Sequence, residues 1–121
     1  MSATEMPDVQ RQVFLDKLVS GAAAHLQLAA GITVCALQAG MQPGMALLIA
    51  RESLQPGQLQ RVLERRFECA SLYDGCFAYL DAQNALVIWH ALPTARNTLD
   101  KILSRMLSLA NLSALDTTSS R

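Results

Sequence analysis

The sequence predicts an α+β domain, a twisted antiparallel sheet flanked by helices in the order α-β-β-β-α-β-β-α. Three observations carry this expectation. The 121 residues are enough for one hydrophobic core and too few for two. Apolar residues recur with helical spacing in three stretches and with strand-like alternation or continuity in five. Turn-forming Gly, Pro, Asn and Asp residues separate those stretches. A single domain is expected over residues 9–112, with flexible ends at 1–8 and 113–121.

The first helix is expected over residues 9–22. Drawn at roughly 100° per residue, Phe14, Leu15, Leu18, Val19 and Ala22 share one arc. Pro7 suits a helix start, Asp8 suits the positive end of the helix dipole, and Gly21 weakens the far end. Val9 and Val13 fall on the opposite side, among Gln10, Asp16, Lys17 and Ser20. They are either isolated surface valines or a contact for another molecule.

Residues 25–52 change pattern. Leu26 and Leu28, then Ile32, Val34 and Ala36, then the apolar run beginning at Met45 read as three strands, the first of them short. Ala30-Gly31 and the Gly40-to-Gly44 segment are the expected reversals. After Pro56-Gly57, residues Leu59, Val62, Leu63, Phe67 and Ala70 form an apolar helix face, with Gln60, Arg61, Glu64, Arg65 and Glu68 opposite. Arg61 and Arg65 are read as solvated, whereas Arg66 falls within the apolar face, where it either snorkels or marks an interface.

Tyr73-Asp74-Gly75 closes that helix. Residues 76–80 and 85–92 are two strands joined by an Asp81-Ala82-Gln83-Asn84 hairpin turn. Trp89 and Tyr79 are the aromatic anchors of this pair, Trp89 by default in the core. Pro93 ends the second strand, and Thr94 or Asn97 caps the helix that follows. Leu99, Ile102, Leu103, Met106, Leu107 and Ala110 make the cleanest helical stripe in the chain.

Composition narrows the function classes. Ten Lys and Arg against ten Asp and Glu leave no formal net charge, unlike the basic surplus of a nucleic-acid-binding protein. No apolar run is long enough to cross a bilayer. With 51% apolar and 17% charged residues, some apolar surface is expected to face a partner. Three dispersed cysteines, Cys35, Cys69 and Cys76, do not form a disulfide framework and fit a reducing cytoplasm. The polar start of the chain does not have the form of a secretory signal.

No catalytic residue, metal site or cofactor site is expected. His25 and His90 have no carboxylate or cysteine at catalytic spacing and read as structural. Cys69 and Cys76 stand too far apart for a close-spaced zinc pair, and no phosphate-binding loop follows Gly40 or Gly44.

Residues 75–81, Gly-Cys-Phe-Ala-Tyr-Leu-Asp, then 85–93, Ala-Leu-Val-Ile-Trp-His-Ala-Leu-Pro, then the apolar helix at 99–109 together resemble a class I type III secretion chaperone. Members of this small dimeric family escort effectors to a bacterial injection apparatus, and chaperone-like relatives act as regulators in Hrp secretion systems. The resemblance covers residues 9–112. It implies a non-catalytic, cytoplasmic bacterial protein that forms a homodimer or pairs with a relative. It further implies a protein partner: an extended effector segment, a transcriptional activator or another chaperone-like protein. Pairing would use the helix at 58–67 and the strand at 76–80, through Leu59, Val62, Leu63, Arg66, Phe67, Phe77 and Tyr79. Partner contact would fall on Val9 and Val13 with Lys17 beside them. Unlike the commonly acidic members, this chain is balanced in charge.

Two other classes make distinct demands. A roadblock-type scaffold places two strands before the middle helix and three after it. A thiol enzyme needs an exposed cysteine with a depressed pKa beside His25 or His90.

Overall fold

All eight expected elements form in the expected order. The computed structural model describes residues 6–93 and 96–115. It contains α1 (Met6–Val19), β1 (His25–Ala29), β2 (Ile32–Ala36), β3 (Gly44–Ile49), α2 (Gln58–Glu68), β4 (Phe77–Leu80), β5 (Leu86–Ala91) and α3 (Arg96–Leu109). Short 3-10 turns lie at Arg51–Ser53 and Ser113–Leu115. The five strands form one antiparallel sheet in the order β1-β2-β3-β5-β4. Three strands precede α2 and two follow it, the reverse of the roadblock count.

The turns follow from their residues. Gly31, at φ 75°, lets Ala29 and Ile32 pair across a two-residue loop. Between β4 and β5, the Asp81 carboxylate accepts from the amides of Gln83 and Ala85 at 2.9 and 3.0 Å. Asn84 there adopts a left-handed φ of 64°, which asparagine tolerates better than most residues.

One face of the sheet makes the main core. Val34, Met45, Leu47, Ile49, Leu86 and Ile88 pack there against Phe14, Leu15 and Leu18 of α1, Val62 of α2 and the apolar stripe of α3. On the other face Ala46, Val87 and Trp89 form a smaller cluster with Cys35, Leu37, Leu48 and Ala91, all on the sheet or its loops. Successive residues of a strand point to opposite faces, which explains why Val87 and Ile88 belong to different clusters.

The first helix departs from its expected arc at two residues. Val19 and Ala22 are exposed because the helix stops at Val19. Gly21, at φ 84°, completes the stop. Its amide donates to Leu18 O and that of Ala22 to Lys17 O, the bond pair of a Schellman motif. Arg11, 2% exposed, joins Phe14, Leu15 and Leu18 on the buried side. Its Nε donates to Asp100 Oδ1 at 2.9 Å, and its Nη2 donates to Asp100 O and Ser104 Oγ.

At the ends, α1 begins at Met6, inside the stretch expected to be loose, and Leu112 and Leu115 pack on the core. Thr94, offered as a cap, lies outside the described residues, and Asn97 falls inside α3 instead of preceding it.

Candidate protein-binding site

Burial departs from the expected setting of α2 at particular residues: Gln60, Arg61, Glu64 and Glu68 are exposed as expected, whereas Arg65 is not. Gln58 is buried, donating from Nε2 to Ala110 O and accepting the Gln55 amide at Oε1. Arg65, expected in solvent, is half-buried and donates from Nη1 to Leu109 O at 2.6 Å, at the carbonyl end of α3. A cation there also meets the negative end of that helix's dipole. Arg66 is half-buried and donates from Nε to Cys76 O at 2.8 Å. The polar inner side of α2 thus satisfies carbonyls that the helix covers.

The Leu63–Phe67 edge of the apolar stripe turns outward, while Leu59 and Val62 stay against the core. Phe67 is 85% exposed, Leu63 and Leu72 about half-exposed, and Ala70 is exposed. Val62 is the exception at 1%, so its expected place in a pairing surface is corrected: it lies in the chain's own core and has no area left for a partner. Leu59 is half-buried against the same core. The sequence displayed the stripe but not the direction in which it faces.

The outward stripe adjoins β4, an edge strand. Phe77, Tyr79 and Leu80 are all exposed. Phe77 and Tyr79 pair with Trp89 and Val87 and share their face, opposite the helices. The rings of Phe77 and Trp89 are 6.2 Å apart and tilted by 40°. Trp89 lies over Gly44, whose missing Cβ leaves room for the indole. Its Nε1 donates to Leu37 O at 2.8 Å, so Trp89 forms the second cluster and not the main core.

Val9, Val13 and Lys17 are exposed and recur every four residues along one side of α1. They form a second surface. α1 packs on α3 and β1, and β1 and β4 are opposite edges of the sheet, so this strip is separate from the α2–β4 surface. No local pattern in the sequence marks the apolar cleft lined by Leu18, Val19, Pro43, Leu92, Pro93 and Leu99. Those residues come from four separate segments, and no local spacing links them.

The requirements of a thiol site are not met by the two shielded cysteines. Cys76 is buried, and burial pushes its thiol up from the ordinary value, with Arg66 and Arg105 partly opposing the shift and Asp74 adding the smallest contribution. Burial also pushes up Cys35. Cys69 is exposed just beyond α2. His25 and His90 stand three strand spacings apart, about 14 Å across the sheet. His90 Nδ1 lies 2.7 Å from Ala91 O. Among the described residues no three His, Cys, Asp or Glu side chains gather as a metal site, and no helix is long and apolar enough to cross a membrane.

Comparison with the curated proteins and with the solved structures gives no match. The family model described as HrpV-like matches residues 1–114.

Proposed function

This chain belongs to the HrpV-like family, and from that premise we propose that it is a non-catalytic regulator of a bacterial type III secretion system, working in the cytoplasm by binding another protein. The family supports a regulatory or chaperone-like role in type III secretion. The observation that carries the finer reading is the setting of α2, which turns Gln58, Val62, Arg65 and Arg66 toward the fold and leaves Leu63 and Phe67 outside. Exposed aromatic and aliphatic side chains in one patch are the usual mark of a protein interface. The partner is a transcriptional activator or another chaperone-like protein. Escort of an extended effector segment is the second reading, favoured by the separate Val9–Val13 strip, since an extended segment can reach distant patches.

Co-purification tests this from bacteria expressing the secretion genes, using the tagged chain and its Phe67→Glu and Val13→Asp variants. Phe67→Glu is expected to lose the partner at least tenfold while remaining folded, with secretion-gene transcripts shifted accordingly. Additional loss in Val13→Asp selects the wrapping mode. Full partner retention by both variants contradicts the proposal.

A further inference from the structure

Helix α2 is held more lightly than the other two helices. Between Leu54, packed on the main core, and the buried Tyr73, bonded to Ser108, only Gln58 and Val62 are buried. What ties α2 to the rest is Val62, the half-buried Leu59, and bonds from Gln58, Arg65 and Arg66 to the carbonyls of Ala110, Leu109 and Cys76. By contrast, α1 is fixed by Phe14, Leu15, Leu18 and the Arg11–Asp100 pair, and α3 by its whole stripe. An element with few buried apolar side chains opens more often than the core around it.

The flanks of α2 suit a pivot. Gln55, Pro56 and Gly57 are exposed on one side, and every residue from Phe67 to Leu72 on the other. Their main-chain bonds, Gln58 N to Gln55 O, Cys69 N to Arg65 O and Tyr73 N to Cys69 O, stay within the stretch and its anchor. Moving α2 therefore leaves the sheet ladder intact. Beneath α2 lies Cys76, 1% exposed, with its carbonyl taken by Arg66 and with Arg66 of α2 and Arg105 of α3 near its thiol. The helix is one wall of that enclosure.

We propose that residues 55–72 form a flap that swings as one unit on those flanks while the sheet, α1 and α3 stay folded. Hinges of this kind are short exposed segments that absorb the backbone change between two anchored points. Opening withdraws Val62 and breaks the bonds of Gln58, Arg65 and Arg66, and it costs nothing at Leu63 and Phe67, which already face solvent. It also uncovers Cys76. Closed, the flap sets the Leu63–Phe67 edge next to β4; open, it splits the two apart. The flap follows from burial and bonding alone, whereas its bearing on binding rests on the reading of the α2–β4 surface as a protein-binding site. A partner that touches both elements binds the closed state and suppresses opening.

The test follows the full chain by hydrogen exchange in urea below its unfolding midpoint, and by iodoacetamide labelling of Cys76 with Cys35→Ser and Cys69→Ser in place. Amides of α2 are expected to exchange through one shared opening, about tenfold or more as frequent as that of β3 and β5, and less sensitive to urea because it exposes less surface. Cys76 should label at the rate of that opening. Arg65→Ala, by removing one charge-assisted bond, should speed both about tenfold and leave β3 and β5 unchanged. Exchange of α2 only together with β3 and β5 overturns the flap. So does labelling of Cys76 as slow as core exchange while α2 exchanges fast, since the helix then frays in place. If Arg65→Ala fails to fold, exchange and labelling without it decide the matter. In the co-purified complex, Cys76 labelling is expected to slow by about tenfold or more. Unchanged labelling there overturns the link to binding and leaves the flap standing. If instead Phe67→Glu keeps the partner, the reading of the surface fails, and the flap is decided by the isolated chain.

Discussion

Helices α2 and α3 both carry an apolar stripe, which α3 seals in the core and α2 splits, with Leu59 and Val62 against the core and Leu63 and Phe67 outside. In α3, Leu99, Ile102, Leu103, Met106 and Leu107 are sealed under the sheet, with Ser108 outside the stripe bonded to the buried Tyr73 hydroxyl at 3.0 Å. In α2, Gln58, Arg65 and Arg66 face the fold and Leu63 and Phe67 face out. The difference teaches that periodicity identifies a face, while the carbonyls beneath a helix decide which face turns inward. Leu109 O, Ala110 O and Cys76 O need donors once α2 covers them, and Arg65, Gln58 and Arg66 supply them.

Truncation should separate the two helices most widely. Leu103→Ala is expected to cost about 2–5 kcal/mol in urea unfolding, as fully buried leucines do. Phe67→Ala should stay within about 0.5 kcal/mol, as exposed sites do. Equal losses would break the comparison. Next comes Arg11, which holds α1 on α3. Arg11→Ala leaves Asp100 without its partner and should cost about 3 kcal/mol, the low end for a buried pair because Asp100 keeps some solvent contact. Arg65→Ala, which removes one donor to a carbonyl of α3, should cost about 1–3 kcal/mol, with Arg61→Ala near zero as the exposed control.

The smallest effect concerns pH. Cys76 and Cys35 bind their protons more tightly folded than unfolded, where the thiol titrates near 9.0. Their contribution is complete below that value and declines as pH rises through the folded pKa. Urea midpoints are therefore expected to fall above about pH 9 and to fall less in Cys76→Ala. A midpoint that rises there contradicts the assignment.

Much of the fold is legible because its signals are local. Alternation about Thr33 and Cys35, the continuous run in β5 and the Asp81–Asn84 turn each lie within a few residues. Arg11 was illegible because its partners, Asp100 and Ser104, are about ninety residues away. Tyr73, read as part of a closing turn, is a buried anchor for the same reason. Leu63, Phe67, Phe77 and Tyr79, which the resemblance assigns to pairing, are exposed in the single chain, while the contact of Arg66 depends on a carbonyl ten residues further along the chain. Val62 belongs to the pairing set that the resemblance implies, although one helical step of about 100° separates this core position from the outer Leu63.

Amide hydrogen exchange tests the central claim most directly, comparing the isolated chain with its purified protein complex. Slower exchange is predicted in α2 and β4 on complex formation, with α3 unchanged because it is already sealed. Protection that appears elsewhere and leaves α2 and β4 exchanging as fast as in the isolated chain would contradict it.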